Sequence, residues 1–180
     1  YVSVPVRALA PKPKSLSWEQ AGGLPLAGLT AYQVLTRLGV AEGKTVLIHA
    51  ASGGVGSMGV QIAKAFGARV IGTASTKNHD YVRELGAEPV EYGDGLVERV
   101  KELAPNGVDI VVDFVGGVVE DSVAVLADGG QHASIADPGV EEHGGSYMWV
   151  SPDAEQLTEL ARLADDGKLT VRVDLSLIHI

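Results

Sequence analysis

The amino-acid sequence predicts an α/β fold built on a doubly wound parallel sheet. Segments with the apolar character of buried strands alternate with segments of helical spacing, and the connections between them are short. The composition agrees with this, because 46% of the residues are hydrophobic but only 5% are aromatic, as is typical of parallel strands covered by helices. One strand, turn and helix unit, residues 45–59, is rich in glycine and guides the interpretation of the whole chain.

This unit carries the pattern Gly54-x-Gly56-x-x-Gly59 between an apolar strand and an amphipathic helix. We expect Gly54 to permit a tight turn, Gly56 to let phosphates approach the backbone, and Gly59 to let the helix pack on the strand. The free N–H groups and the dipole of the first helical turn would then favour an anion such as a pyrophosphate. A glycine turn without a ligand is the alternative, but the placement favours a Rossmann-type NAD(P)-binding domain.

Two helical segments precede the glycine turn. Ser17-Trp18-Glu19-Gln20 has the form of a capping box, in which Ser17 accepts a backbone N–H and Gln20 reaches back, and it predicts a short helix. Residues 22–38 form a second helical stretch of small and apolar residues, which Gly39 ends.

Strands and helices alternate after the turn. The first strand is 46–48, its helix runs to Phe66, Asp94 is a predicted N-cap, and Pro152 is predicted in the first turn of the last helix. The other predicted elements are, in order, strand 69–73, helix 77–85, strand 89–92, helix 94–104, strand 108–113, helix 118–126, strands 130–135 and 146–150, a helix ending at Gly167, and strand 169–173. Right-handed crossovers place the strand-to-helix turns at one edge of the sheet, where ligands bind.

The chain length predicts one full domain with a short leading segment. The 180 residues open at Tyr1 without an initiator methionine, and we expect residues 1–16, with a strand at 2–6, to be the remnant of a preceding domain. Residues 17–174 form the predicted NADP-binding domain. The last six residues, 175–180, resemble a translated sequencing-adaptor end, and we expect them to be a non-native tail.

Charge and composition argue against several classes of partner. The net charge of −9 disfavours nucleic acid, whose phosphates it would repel. No apolar run approaches the length of a membrane span, and no signal peptide is visible, so a cytoplasmic protein is expected. The absence of cysteine excludes disulfides and cysteine-ligated zinc within this chain.

The end of the second strand favours NADP(H) over NAD(H). A carboxylate that binds the ribose 2′-hydroxyl is expected roughly 20 residues after the first glycine, but that count reaches Ala74, with no acid nearby. Ser75, Thr76 and Lys77 follow instead, and two hydroxyls with an ammonium can donate to a 2′-phosphate. The alternative is that Ser75 or Thr76 only caps the next helix and that Lys77 is solvated.

At this point the sequence resembles the medium-chain dehydrogenase/reductase superfamily, and within it the quinone oxidoreductase or zeta-crystallin-like branch. The similarity extends over nearly all of residues 9–174 and is specific because five separate segments occur in the family's order at compatible spacing. These segments are residues 28–32, 50–56 with Gln61, 72–75, 113–117 and 167–169.

The resemblance implies a set of cofactor-binding residues. It assigns residues 53–56 to the pyrophosphate, Ser75 and Lys77 to the 2′-phosphate, and Tyr92 to the adenosine end. Residues 115–116 would line the cleft, and the nicotinamide would lie between Thr30 and residues 134–135. The complete predicted set is Thr30, Gly53, Gly54, Val55, Gly56, Ser75, Lys77, Tyr92, Val115, Gly116, Ser134 and Ile135.

The resemblance also implies an activity, hydride transfer from NADPH to an enone or a quinone. In the family a GroES-like domain precedes the cofactor domain and supplies most donors that stabilise the developing charge. We therefore expect no catalytic residue in this chain and weak or no activity of the chain alone. Alternatives are a zinc alcohol dehydrogenase, a polyketide enoyl-reductase module, or a non-catalytic dinucleotide-binding sensor. Paired Cys and His ligands upstream would indicate the zinc enzyme, and very long flanking domains would indicate the synthase module. Turnover by the full-length protein would argue against the sensor.

Several polar residues receive structural interpretations. We expect His49 to be buried and bonded to backbone, and Asp113 to cap a turn rather than to act as an acid or base. The other histidines lack partners at metal-ligand spacing, so no metal site and a zinc-independent protein are expected. The strand Ser146 to Val150 has the character of a sheet edge, through which a homodimer is predicted. The alternative is that the same residues are part of the core.

Overall fold

Six parallel strands form one sheet in the computed structural model, which describes residues 3–173. Their spatial order is 3-2-1-4-5-6 in chain numbering, and every neighbouring pair is parallel. This is the doubly wound sheet that the sequence predicts. The strands are β1 (Thr45–Ile48), β2 (Arg69–Thr73), β3 (Glu88–Val90), β4 (Val108–Asp113), β5 (Leu126–Ser134) and β6 (Ser146–Tyr147).

Helices cover both faces of the sheet. They are α1 (Trp18–Arg37), α2 (Gly54–Ala65), α3 (His79–Glu84), α4 (Leu96–Leu103), α5 (Val119–Ala124) and α6 (Ala154–Asp165). One hydrophobic cluster packs α1, α2 and α6 on one face, and a second cluster packs α4 on the other. Val46 and Ile48 belong to the first cluster and Leu47 to the second, because successive strand side chains point to opposite faces.

Helix α1 confirms the capping box but not the division into two helices. The Ser17 hydroxyl accepts the Gln20 N–H at 3.3 Å, and the Gln20 side chain accepts the Ser17 N–H at 2.9 Å. The helix then continues unbroken through Pro25 to Arg37. Tertiary packing holds this continuity, since Gly28 lies so close to α6 that an added Cβ would be 3.0 Å from Leu160.

The two predicted strands at the ends of the domain are wrong. Residues 3–5 are in no strand, and Val6–Ala8 form a 3-10 turn. Residues 169–173 are also in no strand, and side chains of α1 and α2, rather than a neighbouring strand, bond the backbone of Thr170 and Val171. Gln61 accepts the Thr170 N–H at 2.8 Å and donates to the Thr170 carbonyl at 3.1 Å.

The predicted cap of α4 and the predicted first residue of α6 are also wrong. Helix α4 begins after Gly95, not at Asp94, and Gly95 has φ of +79°, a conformation that glycine adopts readily. Helix α6 is capped by Asp153, whose carboxylate accepts the Gln156 N–H at 2.9 Å, so Pro152 lies before the helix. Other bounds differ by a few residues: α3 begins after a 3-10 turn at Thr76–Asn78, α5 is shorter than predicted, β3 ends at Val90, and β5 begins at Leu126.

Strand β6 is shorter than the predicted strand 146–150, and it lies at the edge of the sheet. Trp149 beyond it is 80% exposed and packs edge-on against Tyr147, with 5.9 Å between the ring centroids. The homodimer through this edge stays a prediction.

The expected tail, residues 175–180, and the last residue of the expected domain 17–174 lie outside the described residues. None of the helices within residues 3–173 combines the length and apolar character needed to cross a membrane.

Candidate functional site

The turn after β1 is held by backbone bonds to the end of β2. The N–H of Ala50 donates to the Thr73 hydroxyl at 3.0 Å, and the N–H of Ala51 donates to the Thr73 carbonyl at 2.9 Å. The N–H of Gly53 returns to the Ala50 carbonyl at 2.9 Å. These bonds place the start of α2 at the carboxyl edge of the sheet, where doubly wound proteins bind ligands.

The glycines of the turn have roles that differ in part from those expected. Gly54 is already helical, and the left-handed residue is Ala50, with φ of +55°, so the role expected for Gly54 is wrong. A Cβ on Gly56 would lie 2.0 Å from the Ala50 carbonyl oxygen. Gly56 is therefore required by the turn itself. A Cβ on Gly59 would lie 2.9 Å from the Phe114 ring, which confirms the expected close packing of α2 on the sheet.

The first turn of α2 presents free backbone donors. The N–H groups of Gly54, Val55 and Gly56 precede the first intrahelical bonds, which begin when the Ser57 N–H donates to the Gly53 carbonyl at 2.8 Å. Gly53 and Gly54 are exposed. Free N–H groups at the positive end of a twelve-residue helix bind an anion favourably.

A cavity of about 650 Å³ adjoins this turn, a volume within the range of cofactor pockets. Six predicted cofactor residues line it: Gly53, Ser75, Lys77, Tyr92, Val115 and Gly116. Eleven further residues line it that the predicted set lacks: His49, Ala50, Ser52, Thr73, Ala74, Asn78, Gly93, Leu96, Gly117, Val118 and Asp121. Leu96, Val118 and Asp121 lie near the starts of α4 and α5. The apolar patterns of the strands do not indicate that these positions face a cavity.

The segment after β2 presents hydroxyl and ammonium donors to this cavity. The Ser75 carbonyl, not its hydroxyl, accepts the Asn78 N–H at 2.8 Å, so side-chain capping by Ser75 is wrong. The Asn78 side-chain amide donates to both the Ser75 and the Ser52 hydroxyl oxygens at 3.3 Å, so the Ser75 hydroxyl keeps its own proton for a ligand. Lys77 is exposed and lines the cavity, while Thr76 donates instead to the Glu91 carboxylate at 2.8 Å.

His49 lies at the base of the cavity and is 1% exposed. Its Nε2 is 3.1 Å from the Ser122 hydroxyl, which itself donates to the Val118 carbonyl at 2.7 Å, so Nε2 is assigned as the donor. The ring is buried as expected, but its partner is a side chain rather than backbone. Burial lowers the pKa of His49, although the charges of Asp113 and Asp121 oppose this effect.

Acidification is expected to destabilise the fold through His49. Because its pKa is lower in the folded chain, the unfolded chain takes up this proton first as the pH falls below the ordinary value of 6.5. The contribution of His49 to stability is constant above that pH and decreases below it, until the folded-state ring is also protonated. Thermal unfolding of wild type and His49→Gln at about pH 8 and about pH 5.5 measures this. Wild type should lose more stability than the variant, and equal losses would contradict the prediction.

Asp113 and Ser134 organise the loops that follow β4 and β5. The Asp113 carboxylate accepts the N–H groups of Val115 at 2.8 Å and Gly116 at 2.9 Å, which confirms it as a turn cap. It also accepts the Ser134 hydroxyl at 2.7 Å. Ser134 is fully buried, so only the loop that follows it could approach a ligand.

Thr30 and Ile135 do not line the cavity. The Thr30 hydroxyl donates to the Leu26 carbonyl at 2.8 Å within α1, and Ile135 packs against the main hydrophobic cluster. Their assignment to the nicotinamide, like that of Ser134, stays a prediction. Within residues 3–173, no three His, Asp or Glu side chains form a group that could hold a metal ion.

The sheet order and the helix N-terminus at its carboxyl edge define a Rossmann-type nucleotide-binding domain. The family model for zinc-binding dehydrogenases matches residues 54–155. The chain belongs to this family, and the resemblance to the medium-chain dehydrogenase/reductase superfamily is confirmed.

Curated and solved relatives agree with this assignment. The chain is 35% identical over 177 residues to the NADPH-dependent alkenal/one oxidoreductase of Arabidopsis thaliana, covering 97% of this chain and 44% of the relative. An alcohol dehydrogenase superfamily protein from Novosphingobium aromaticivorans superposes with a TM-score of 0.85 at 34% identity, covering 94% of this chain and 58% of that one. The quinone oxidoreductase of Coxiella burnetii superposes with a TM-score of 0.74 at 34% identity, covering 92% of this chain and 54% of that one. The chain thus spans about half the length of these relatives.

Proposed function

We propose that this chain is the cofactor-binding half of an NADPH-dependent oxidoreductase that reduces an enone or a quinone. The observation that carries the proposal is the pair of donors Ser75 and Lys77 at the end of β2. Both line the same cavity as the turn before α2. A carboxylate at the end of β2 would favour a free ribose hydroxyl, whereas hydroxyl and ammonium donors favour a phosphate.

The residues present fit NADP(H) along the cavity. The free N–H groups of residues 54–56 would hold the pyrophosphate at the start of α2. Lys77 would supply charge to the 2′-phosphate, and the Ser75 hydroxyl, which accepts from the Asn78 amide, would donate its own proton. Exposed Tyr92 and Val115 would provide apolar contacts for the adenosine. The bound cofactor would supply the hydride.

The relatives support the choice of substrate class. The Arabidopsis thaliana relative is an NADPH-dependent alkenal/one oxidoreductase, so a conjugated carbonyl is the substrate class that we propose here. This chain spans 44% of that relative. We therefore assign to it cofactor binding, and we expect groups outside it to supply the donors that stabilise the enolate.

Replacing Lys77 with alanine tests the proposal. Titrations of NADPH and NADH into the purified chain should show tighter binding of NADPH. In Lys77→Ala the affinity for NADPH should fall by about tenfold to a hundredfold, because an ammonium-phosphate bond is lost, while the affinity for NADH should change little.

Lys101→Ala is the matched control, since Lys101 is an exposed lysine on α4 that does not line the cavity. It removes the same charge and should leave the preference for NADPH unchanged. Equal binding of the two cofactors by wild type would overturn the assignment of the 2′-phosphate site.

A further inference from the structure

The carboxyl ends of β4 and β5 are joined by a buried side-chain pair. Asp113 and Ser134 are the last residues of the two strands and are register partners in the sheet. Asp113 is 3% exposed, Ser134 is fully buried, and the hydroxyl donates to the carboxylate at 2.7 Å. Two loops of the carboxyl edge therefore begin from a single hydrogen-bonded pair.

Each member of the pair also holds the loop that follows its strand. Asp113 accepts the N–H groups of Val115 and Gly116. The Ser134 hydroxyl oxygen accepts those of Ala136 at 3.1 Å and Asp137 at 2.9 Å. A hydroxyl has one proton and two lone pairs. Because Asp113 takes the proton, both lone pairs of Ser134 are directed at the loop.

The two loops are also bonded to each other. The Asp137 carboxylate accepts the Gly117 N–H from the β4 loop at 3.2 Å and the Gly139 N–H of its own loop at 2.9 Å. The position of Asp137 depends on Ser134, which binds its backbone N–H. Loss of the Ser134 hydroxyl would therefore loosen the β5 loop and its bond to the β4 loop together.

In a doubly wound sheet the first three strands hold the adenosine half of a dinucleotide and the last three hold the other half. We propose that Ser134, oriented by Asp113, is a positioning residue for the nicotinamide half of the cofactor. It acts through the loop after β5 and does not itself touch the cofactor. This inference rests on the proposed function and adds the residue pair that holds the β5 loop in place.

Two ligands separate the halves experimentally. NADPH engages both, whereas adenosine 2′,5′-bisphosphate carries the adenosine and its 2′-phosphate but no nicotinamide half. In Ser134→Ala we expect NADPH to bind about tenfold more weakly and the bisphosphate to bind within about twofold of wild type. A loss of stability alone would leave the ratio of the two affinities as it is in wild type.

Val108→Ala is the matched control for stability. Val108 is fully buried at the opposite end of β4, so its truncation lowers the thermal midpoint without reaching the carboxyl edge. Both ligands should bind this variant as they bind wild type. Asp113→Asn tests the orienting role, because adding Ser134→Ala to it should weaken NADPH binding less than Ser134→Ala does alone.

The outcomes are distinct. Selective loss of NADPH affinity in Ser134→Ala, with reduced effect in the Asp113→Asn background, supports the inference. Equal loss of both ligands, or no loss of either, overturns it and leaves the proposed function intact. If wild type binds neither ligand, the proposed function and this inference fail together.

Discussion

Gly56→Ala is expected to abolish the turn between β1 and α2. The added methyl would lie 2.0 Å from the Ala50 carbonyl oxygen and 2.9 Å from the Ala51 Cα, both backbone atoms that a rotamer change cannot move. The chain must shift the turn or unfold, so the free energy of unfolding should fall by about 3 kcal/mol or more. Urea unfolding followed by circular dichroism measures the loss, and a titration with NADPH measures the accompanying loss of binding.

Gly54→Ala is the matched control within the same motif. A Cβ at Gly54 meets no atom within 4 Å, and the residue is already helical. Its free energy of unfolding should change by less than about 1 kcal/mol. A similar loss of stability in the two variants would show that the Gly56 contact does not determine the turn.

Asp113→Ala is expected to have the second largest effect. It removes the acceptor of two backbone N–H groups and of the Ser134 hydroxyl in a site that is 3% exposed. Three donors would be left without a partner, so we expect a loss of about 3 kcal/mol or more in the free energy of unfolding. Urea denaturation of wild type and variant measures this loss, with both curves fitted to the same dependence of the free energy of unfolding on urea concentration.

Asp113→Asn provides the graded comparison. An amide keeps one oxygen that can accept the N–H groups of Val115 and Gly116, but its NH₂ group cannot accept the Ser134 proton. The loss should therefore be about half that of the alanine variant. If asparagine and alanine destabilise equally, the backbone bonds of Asp113 contribute little and the carboxylate charge dominates.

Local patterns predicted the elements and much of the candidate site. Apolar runs that alternate with helical segments located β1, β2 and β4, and the capping box at Ser17 located the start of α1. Parallel strands connected by right-handed crossovers end at one edge, so residues after β1, β2 and β4 could be expected together. The cavity does bring Gly53, Ser75 and Val115 together.

Contacts between distant segments had no such local signal. His49 and Ser122 are 73 residues apart, and Asp113 and Ser134 are 21 apart. The pairing of each depends on strand register and on helix packing, which propensity does not specify. The same is true of residues 169–173, where side chains from α1 and α2 replace a neighbouring strand.

The sequence by itself thus determined the class of fold, the location of the glycine-rich turn before α2 and the donors at the end of β2, because these depend on residues close together in the chain. Only the tertiary structure decided which backbone positions are constrained. Ala50 takes the left-handed conformation in the turn, and Gly54, which was expected to permit the turn, is helical. Hydrogen bonds from the turn to Thr73 hold Ala50 in place. Gly56 has no side chain that would collide with the Ala50 carbonyl oxygen.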